Sequence, residues 1–459
     1  MSAIKKLFIA NRGEIAVRII KTAREMGITT VLGVSVADEK SFAARLADEA
    51  AVLGPAPAAA SYLNQEATIT AAIEHGCDAL HPGYGFLSEN AGFARKVISS
   101  GLAWVGPSAE AIDLMGDKAQ ARRAAEAAGV PVLAGTKGPL AHDADPVEAA
   151  RAIGYPLLVK AAAGGGGRGI RRVNNESELL EIVELARGEA AANFGDPSVY
   201  LERFVESARH IEVQLLSDGH TFLHLGDRDC SMQRRSQKVI EEAPAPGIPE
   251  HVRDQMRSSS VELARQCSYS GAGTVEFLYD PVREEAAFIE MNTRLQVEHP
   301  ITELITGIDL VKEQLKIAGG ENLPFTQADI TFTGHAIECR INAEDPARGF
   351  FPSPGKLTAL SWPAGNIRVD AGVEEGDVIA PFYDSMIAKL ISYSDTRESA
   401  IRQAVDALKA AVIEGVKTTV PVHITLLETP EFQKINHNTT FIERNPELLD
   451  TLSQEEARA

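Results

Sequence analysis

The first 36 residues contain the feature that most restricts the fold. Apolar strands are predicted over 6–10 and 29–36, and between them Ile15, Ile19 and Ala23 recur at the spacing of one helical face. A strand, a helix and a strand of these lengths form a βαβ unit, and such a unit requires a parallel sheet. The same alternation continues in predicted helices over 62–75 and 90–99 and in strands over 77–81 and 102–106. The fold class is therefore predicted to be α/β.

Length and composition indicate a globular protein of several domains. A chain of 459 residues suffices for two to four domains, and 44 % hydrophobic and 24 % charged residues are ordinary proportions. The formal net charge of −19, with no basic tail, argues against a nucleic-acid partner. The four cysteines form no CxxC pair, and we see neither a signal peptide nor a membrane span. We expect a cytoplasmic protein with no membrane partner.

Changes in sequence character predict three domains. The parallel sheet would occupy 1–115, and a second domain with most of the polar motifs would occupy 116–330. The segment 331–446 is β-rich, with Gly/Pro turns, and would end in a helix over 397–414. The charged tail at 447–459 is expected to be frayed.

A polar segment, HPGYGFLSEN at residues 81–90, follows the predicted strand over 77–81. Ligands of open α/β sheets bind at the carboxyl ends of strands, so the segment is a candidate binding loop. A Gly/Pro turn in which Ser88 or Asn90 caps the next helix is equally consistent with the sequence. Both interpretations stay open.

A glycine-rich run follows a predicted strand over 155–160. Residues 164–169 read GGGGRG, and five glycines in six positions carry a large cost in conformational entropy. A loop whose backbone N–H groups wrap a polyphosphate would need bare backbone of this kind. The alternative is the mobile tip of a hairpin. Lys160, at the end of the strand, favours the phosphate-binding interpretation.

One predicted strand near residue 290 has a polar and an apolar face. Ile289 and Met291 lie on the apolar face, and Glu290, Asn292 and Arg294 lie on the other. Polar groups of this kind are costly to bury without partners. The strand is therefore either an exposed edge with scattered charges or the wall of a cleft that holds a cation and an anion.

A second predicted strand, over 273–279, favours the cleft. Asp280-Pro281 indicates a turn, so the two strands are predicted to form a hairpin that places Glu276 near Glu290. Two carboxylates that lie this close together need a cation between them, because one of them would otherwise become protonated. Mg²⁺ prefers carboxylates combined with substrate phosphates. The hairpin therefore predicts a magnesium site, with Glu298 beyond the following turn.

The segment 227–241 carries many charged side chains, a composition that usually indicates a solvated loop. It also contains Gln233 and Lys238, which are further candidates for binding an anion.

These motifs together resemble the biotin carboxylase family, the ATP-grasp component of biotin-dependent carboxylases. The segments that carry the resemblance are ANRGEIAVRI (10–19), HPGYGFLSEN (81–90), MGDK (115–118), GGGGRG (164–169), RDCSMQRR (228–235), QKV (237–239), EMNTRLQVEHPITE (290–303) and HAIECRINAEDP (335–346). The resemblance implies an N-terminal parallel-sheet (pre-ATP-grasp) domain, an ATP-grasp domain with a mobile lid at about 132–204, and a C-terminal α+β domain. One departure is Ser236, where the family usually has histidine, and it affects a position that borders the nucleotide.

The resemblance also implies roles for individual residues. ATP would be bound by Lys118, Lys160, Gly165, Gly166, Gly167, Glu202, His210, Gln233, Glu276 and Glu290. Mg²⁺ or Mn²⁺ would be held by Glu276, Glu290 and Asn292. Bicarbonate would be bound by Lys238, Arg294, Gln296, Val297 and Glu298. Biotin would meet Arg340 and Tyr84, and the catalytic set would be Glu298 as base with Arg294, Lys238 and Arg340.

The implied reaction is ATP- and bicarbonate-dependent carboxylation of biotin through carboxyphosphate, in fatty-acid synthesis by an acetyl-CoA carboxylase. The same component of a propionyl-CoA, methylcrotonyl-CoA or pyruvate carboxylase is the alternative. Implied partners are a biotin carboxyl carrier protein, a second copy of the chain in a homodimer, and a separate carboxyltransferase. A carbamoyl-phosphate-type ligase and an ATP-binding paralogue without activity are the other hypotheses. The QVEHP segment argues against the first, and the presence of Glu298, Arg294 and Lys238 argues against the second.

Overall fold

The computed structural model describes residues 4–136, 138–140, 145–161, 169–194 and 196–449. Its main sheets are a parallel N-terminal sheet, a small antiparallel sheet and a long antiparallel sheet. Across the described ranges, no helix combines the length and the apolar character needed to cross a membrane.

The N-terminal sheet has five strands in the order β3-β2-β1-β4-β5, and every pairing is parallel. This confirms the α/β class predicted from the strand–helix–strand pattern. The sequence does not predict β3, because EAAVLG is rich in alanine, a weak strand former. The elements are β1 (Lys6–Ile9), α1 (Gly13–Glu25), β2 (Thr29–Ser35), α2 (Phe42–Leu46), β3 (Glu49–Gly54), α3 (Gln65–Glu74), β4 (Ala79–His81), α4 (Ala91–Ser99), β5 (Ala103–Trp104) and α5 (Ala109–Gly116).

A small antiparallel sheet with the order β7-β6-β8 follows. Its core includes Leu157, Val159 and Leu201, which pack with apolar residues of the adjacent helices. The predicted phosphate-binding glycines at 164–167 lie outside the described residues. The elements of this part are α6 (Lys118–Ala127), α7 (Pro146–Ile153), β6 (Leu157–Ala161), β7 (Ile170–Val173), α8 (Glu176–Phe194) and β8 (Val199–Arg203).

The long sheet has eight antiparallel strands in the order β13-β12-β9-β10-β11-β14-β21-β19. Its first five strands precede residue 330, and the elements there are β9 (Arg209–Asp218), β10 (Phe222–Arg234), β11 (Gln237–Ala243), α9 (Glu250–Gln266), β12 (Ser270–Asp280), β13 (Glu285–Asn292), α10 (His299–Thr306) and α11 (Leu310–Ala318). One core cluster joins Leu7 and Ile19 of the N-terminal part to Leu216 and Leu315. The N-terminal sheet is therefore packed directly against this region.

The chain after residue 330 extends the same sheet, because Cys339 of β14 pairs with Ile240 of β11. This brings side chains that are about 100 positions apart in sequence onto neighbouring strands. The elements are β14 (His335–Asn342), β15 (Glu344–Asp345), β16 (Phe351–Pro352), β17 (Gly355–Lys356), β18 (Ala359–Ser361), β19 (Ile367–Ala371), β20 (Val378–Ile379), β21 (Met386–Ser394), α12 (Arg397–Ala410), β22 (Val412–Glu414), α13 (Val420–Glu428), α14 (Pro430–Gln433) and α15 (Phe441–Arg444).

The helix predicted over 397–414 is shorter in the structure, and its last three residues form a strand instead. Helix α12 ends at Ala410, and Ala411 has extended backbone angles. Val412 and Ile413 are β-branched, and they pair with β18 as strand β22. A tertiary pairing partner, which local periodicity does not reveal, decides this boundary.

The predicted hairpin of β12 and β13 is confirmed, with Glu276 directly opposite Glu290. The predicted apolar face of β13 is only half right. The ladder passes from the Glu276–Glu290 pair to a pair of Phe277 with Phe288, so Ile289 has no residue opposite it and forms a β-bulge. As a result Ile289 is 41 % exposed, whereas Phe288 is 5 % exposed and lies in the core.

The bulge predicts that truncating two adjacent side chains will change the stability by very different amounts. Phe288→Ala should lower the free energy of unfolding by about 3–5 kcal/mol, because it opens a cavity beside Phe277. Ile289→Ala should change it by only about 0.5 kcal/mol, as is usual at an exposed site. Urea unfolding of both variants measures the difference. Equal losses, or a larger loss for Ile289→Ala, would contradict the bulged register.

Candidate active site

A cavity of about 680 Å³ lies where the N-terminal sheet, the long sheet and the chain after residue 330 meet. Every one of these parts contributes polar side chains to its wall. Of the residues predicted from the sequence, the cavity wall contains Tyr84, His210, Lys238, Glu276, Glu290, Asn292, Arg294, Gln296, Val297, Glu298 and Arg340.

The ammonium group of Lys238 is the centre of the polar wall. It donates to Glu212 at 2.6 Å, to Glu276 at 3.0 Å and to Glu298 at 2.6 Å. Burial opposes the charged form, but the surrounding acidic groups outweigh burial and raise the pKa of Lys238 well above its usual value. Lys238 is therefore a permanent cation that faces three carboxylates.

Glu298 is 2 % exposed and lies at the start of helix α10. Its two carboxylate oxygens accept from Lys238 at 2.6 Å and from Arg340 at 2.9 Å. Burial raises the pKa of Glu298, but Lys238, Arg340 and Arg228 overcome that effect and hold it well below the usual value. The carboxylate is consequently ionised at neutral pH, with a cation on each side of it.

Arg340 of β14 reaches across to strand β11. Its Nε donates to Glu241 at 2.5 Å, and its Nη2 donates to Glu298 at 2.9 Å and also contacts Glu241. Burial is the main cause that raises the pKa of Glu241 to about 7, and Arg340 limits the rise. Two nitrogen atoms of the guanidinium are thus held by a fully buried carboxyl, and one of them also reaches Glu298 at the cavity.

Both carboxylate oxygens of Glu276 have polar partners in this structure. One oxygen accepts from Asn292 at 2.9 Å and from Gln296 at 2.8 Å as well as from Lys238, and the other lies 3.0 Å from Nε2 of His210. Across the hairpin, burial and the charge of Glu276 raise the pKa of Glu290. An additional cation would relieve this repulsion.

The donor set at this point fits a hard divalent cation. Glu276, Glu290 and Asn292 offer oxygen atoms on paired strands, and two carboxylates supply the charge that Mg²⁺ or Mn²⁺ prefers. Such an ion would supply charge neutralisation for a bound phosphate chain.

The segment 81–90 confirms the predicted helix cap, and its binding role stays a prediction. The Asn90 side chain caps helix α4 by accepting from the Phe93 N–H, while Tyr84 lines the cavity. Glu89 of the same segment accepts from Nε of Arg294 at 2.9 Å. This contact is a site feature that the sequence reasoning missed, although Glu89 lies inside a motif already singled out.

Some predicted residues are not brought to this cavity wall in the described part of the chain. Lys118 lies at the start of helix α6, and Lys160 forms an ion pair with Glu202 on the small sheet. Gln233 lies behind the wall, where its side-chain amide contacts His210 Nδ1 at 2.7 Å. Gly165, Gly166 and Gly167 lie outside the described residues.

The segment 227–241 is not the solvated loop that such a composition usually indicates. The segment forms most of the β10–β11 hairpin, and Arg228 is fully buried. The Arg228 guanidinium donates to Glu212 at 2.5 Å, to Gln214 at 2.6 Å and to Gln296 at 2.8 Å. Glu212 and Gln214 lie on the neighbouring strand β9 and Gln296 lies in the loop after β13, so the composition of 227–241 alone could not reveal that the charge is buried.

Comparisons with known proteins cover nearly the whole chain. Three family models match: "Biotin carboxylase, N-terminal domain" over 3–112, "Carbamoyl-phosphate synthase L chain, ATP binding domain" over 117–326 and "Biotin carboxylase C-terminal domain" over 338–444. Biotin carboxylase of Haemophilus influenzae is 52 % identical over 444 residues, which are 96 % of this chain and 98 % of that protein. A pyruvate carboxylase component from Methanothermobacter thermautotrophicus is 47 % identical over 95 % of this chain and 89 % of that protein.

A solved structure gives the same result. It is the dimeric biotin carboxylase domain of Hydrogenobacter thermophilus 2-oxoglutarate carboxylase, in complex with MgADP, ADP and bicarbonate. Its TM-score is 0.85 at 44 % identity, over 98 % of this chain and 99 % of that one. The family resemblance predicted from the sequence motifs is confirmed: this chain belongs to the biotin carboxylase family of ATP-grasp ligases.

Proposed function

We propose that this protein uses ATP and bicarbonate to carboxylate biotin on a carrier protein, as the first half-reaction of an acetyl-CoA carboxylase. The observation that carries the proposal is the ionised, buried carboxylate of Glu298 between the cations of Lys238 and Arg340. The two cations are suited to bind an anion, and an anion that replaces Glu298 as their partner would raise the pKa of Glu298 toward that of a useful base.

Bicarbonate would bind in the cavity against Lys238, Arg294, Gln296 and the Val297 backbone, with Glu298 as the base. The Lys238 and Arg294 charges compensate the anion, while Glu298 removes its proton. The resulting carbonate oxygen attacks the γ-phosphorus of ATP, ADP leaves, and carboxyphosphate forms. Arg294 is suited to this task because Glu89 and Asn292 hold its guanidinium in place, with contacts of 2.9 Å each.

The nucleotide would lie with its phosphates toward Glu276 and Glu290. Magnesium at Glu276, Glu290 and Asn292 would neutralise phosphate charge, and His210 and Gln233 would lie along the nucleotide. We further propose that phosphates are bound by Lys118, Lys160 and the backbone at Gly165, Gly166 and Gly167, with Glu202 near the adenine. Lys160 now pairs with Glu202, so nucleotide binding would have to redistribute that contact.

Biotin would enter beside Arg340 and Tyr84. When carboxyphosphate breaks down to CO₂ and phosphate, the phosphate takes the ureido proton of biotin and the biotin nitrogen attacks CO₂. Negative charge then develops on the ureido oxygen, and the Arg340 guanidinium can stabilise it. The contact of Arg340 Nε with Glu241 at 2.5 Å would keep the guanidinium anchored while Nη2 exchanges its bond to Glu298 for one to the substrate.

The proposed partners are a biotin carboxyl carrier protein and a carboxyltransferase, which receives the carboxyl group. The Hydrogenobacter thermophilus relative forms a dimer in its crystal, which supports a homodimer for this chain. For the final acceptor we propose acetyl-CoA. Relatives named for pyruvate and 2-oxoglutarate carboxylases make those keto acids the alternative acceptors.

The direct test is ATP hydrolysis with free biotin in place of the carrier. Hydrolysis should require Mg²⁺ and bicarbonate together, should rise on addition of biotin and should stop when EDTA removes the metal. When the biotinylated carrier and the carboxyltransferase from the same source are added, ¹⁴C from labelled bicarbonate should be transferred to acetyl-CoA. Hydrolysis that ignores bicarbonate would contradict the proposed reaction, whereas transfer to pyruvate alone would overturn only the acceptor.

Replacing the proposed base should separate chemistry from nucleotide binding. Glu298→Gln should lower bicarbonate-dependent ATP cleavage by roughly 10²–10⁴-fold, the usual contribution of a positioned base. ATP affinity should remain near the parent value, because Glu298 contacts Lys238 and Arg340 rather than the proposed nucleotide positions. Steady-state kinetics and equilibrium ATP binding measure the two effects.

Glu428→Gln is the matched control, since this half-exposed carboxylate pairs with Lys409 away from the cavity wall. It should keep the parent's kinetics. A Glu298→Gln enzyme with turnover close to that of this control would rule out Glu298 as the base.

A further inference from the structure

Lys389 is a fully buried lysine directly behind the candidate active site. It lies on strand β21, its side chain has 0 % exposure, and it is not part of the cavity wall among the described residues. Its ammonium forms an ion pair with Glu14 at 3.0 Å and lies 3.9 Å from Asp370. Burying an ammonium is costly unless each of its N–H donors has a partner. The third partner of this ammonium group connects Lys389 to the candidate active site.

That partner is the backbone carbonyl of Val297, to which Lys389 Nζ donates at 2.9 Å. Val297 lies between Gln296 and Glu298, in the loop that joins β13 to α10. The bond fixes the peptide unit that links Val297 to Glu298. A charged donor makes this hydrogen bond stronger than one from a neutral amide.

The ammonium is itself held by elements from both ends of the chain. Lys389 lies opposite Asp370 on one neighbouring strand and opposite Arg340 on the other. Glu14, on helix α1, also accepts a hydrogen bond from the Tyr84 hydroxyl at the cavity wall. The carbonyl of Val297 is thus tied to a rigid, buried base rather than to a surface side chain.

We propose that Lys389 is a positioning residue for bicarbonate. Its bond to the Val297 carbonyl holds the 296–298 loop so that the Gln296 side chain, the Val297 backbone and the Glu298 carboxylate present one preformed anion site. In this proposal Lys389 contacts none of the three substrates and acts only through this loop. The inference rests on the proposed function of that loop.

The proposal makes a different prediction from a purely structural role. A lysine that only stabilises the fold would, when replaced, lower the melting temperature and the amount of active enzyme without changing KM values. A positioning lysine would specifically affect bicarbonate, because small displacements of a binding loop have large kinetic effects. The nucleotide is proposed to bind elsewhere on the cavity wall and should be little affected.

The test compares Lys389→Met with Asp370→Asn in the full-length protein. Lys389→Met keeps the side-chain length and removes the donor, and it should lower kcat/KM for bicarbonate by roughly 10- to 100-fold. The KM for ATP at saturating bicarbonate should stay near the parent value. Asp370→Asn removes a neighbouring charge but leaves the bond to Val297, so it should lower thermal stability without changing kcat/KM for bicarbonate.

Lys389→Met leaves the Glu14 carboxylate without its cation, and the variant could fail to fold. In that case Glu14→Gln/Lys389→Met, which removes both charges, is compared with Glu14→Gln alone. The double variant should still show the loss in kcat/KM for bicarbonate relative to its own single-variant reference.

A folded Lys389 variant with the parent's kinetics for bicarbonate overturns the inference, as does an equal loss in Asp370→Asn. Failure of the proposed function has a different signature. There the parent protein itself would show no bicarbonate-dependent ATP hydrolysis.

Discussion

The Lys238 ammonium holds the site together, because three carboxylates converge on it. Glu212, Glu276 and Glu298 come from two strands and the start of a helix, and all three lie within 3.0 Å of Lys238 Nζ. Without this cation, ionised carboxylates could not remain buried so close together. The protein is strongly acidic as a whole, yet its cavity wall sets five Lys and Arg side chains against six carboxyl side chains. That local balance is what makes an anion site possible in a chain with a net charge of −19.

The long antiparallel sheet creates this balance. The β11–β14 pairing brings Arg340 to Glu241, and the β12–β13 hairpin brings Glu276 to Glu290. Lys238 and Arg340 are each shared between a carboxylate at the cavity and another behind it. In the proposed reaction a bicarbonate anion would enter an arrangement whose charges are already fixed, so little reorganisation would accompany the transfer of its proton.

Local patterns predict the parts of the structure that depend on local interactions. The turn at Asp280-Pro281 and the alternation on both strands suffice to predict that Glu276 faces Glu290. They do not predict the bulge at Ile289, because one inserted residue depends on how Phe288 fits the core. The family motifs identify most of the cavity wall, including Tyr84.

Partners on other strands and loops explain the buried charges that the sequence does not predict. Arg228 looks like a surface charge until Glu212, Gln214 and Gln296 surround it. Lys389 also looks like a surface charge from the sequence alone, because its partners Glu14 and Val297 are about 375 and 92 positions away. A buried charge is recognisable only when its partners are known, and here these partners lie on other elements of the fold.

The central claim is that bicarbonate, deprotonated in this cavity, attacks the γ-phosphate of ATP. The most direct measurement supplies ¹⁸O-labelled bicarbonate and determines the label in inorganic phosphate during biotin-dependent turnover. If carboxyphosphate forms, the oxygen that attacked phosphorus stays with the phosphate when the C–O bond breaks. The account predicts one ¹⁸O atom in each phosphate released. Phosphate without label from bicarbonate would show that water attacks ATP and would contradict it.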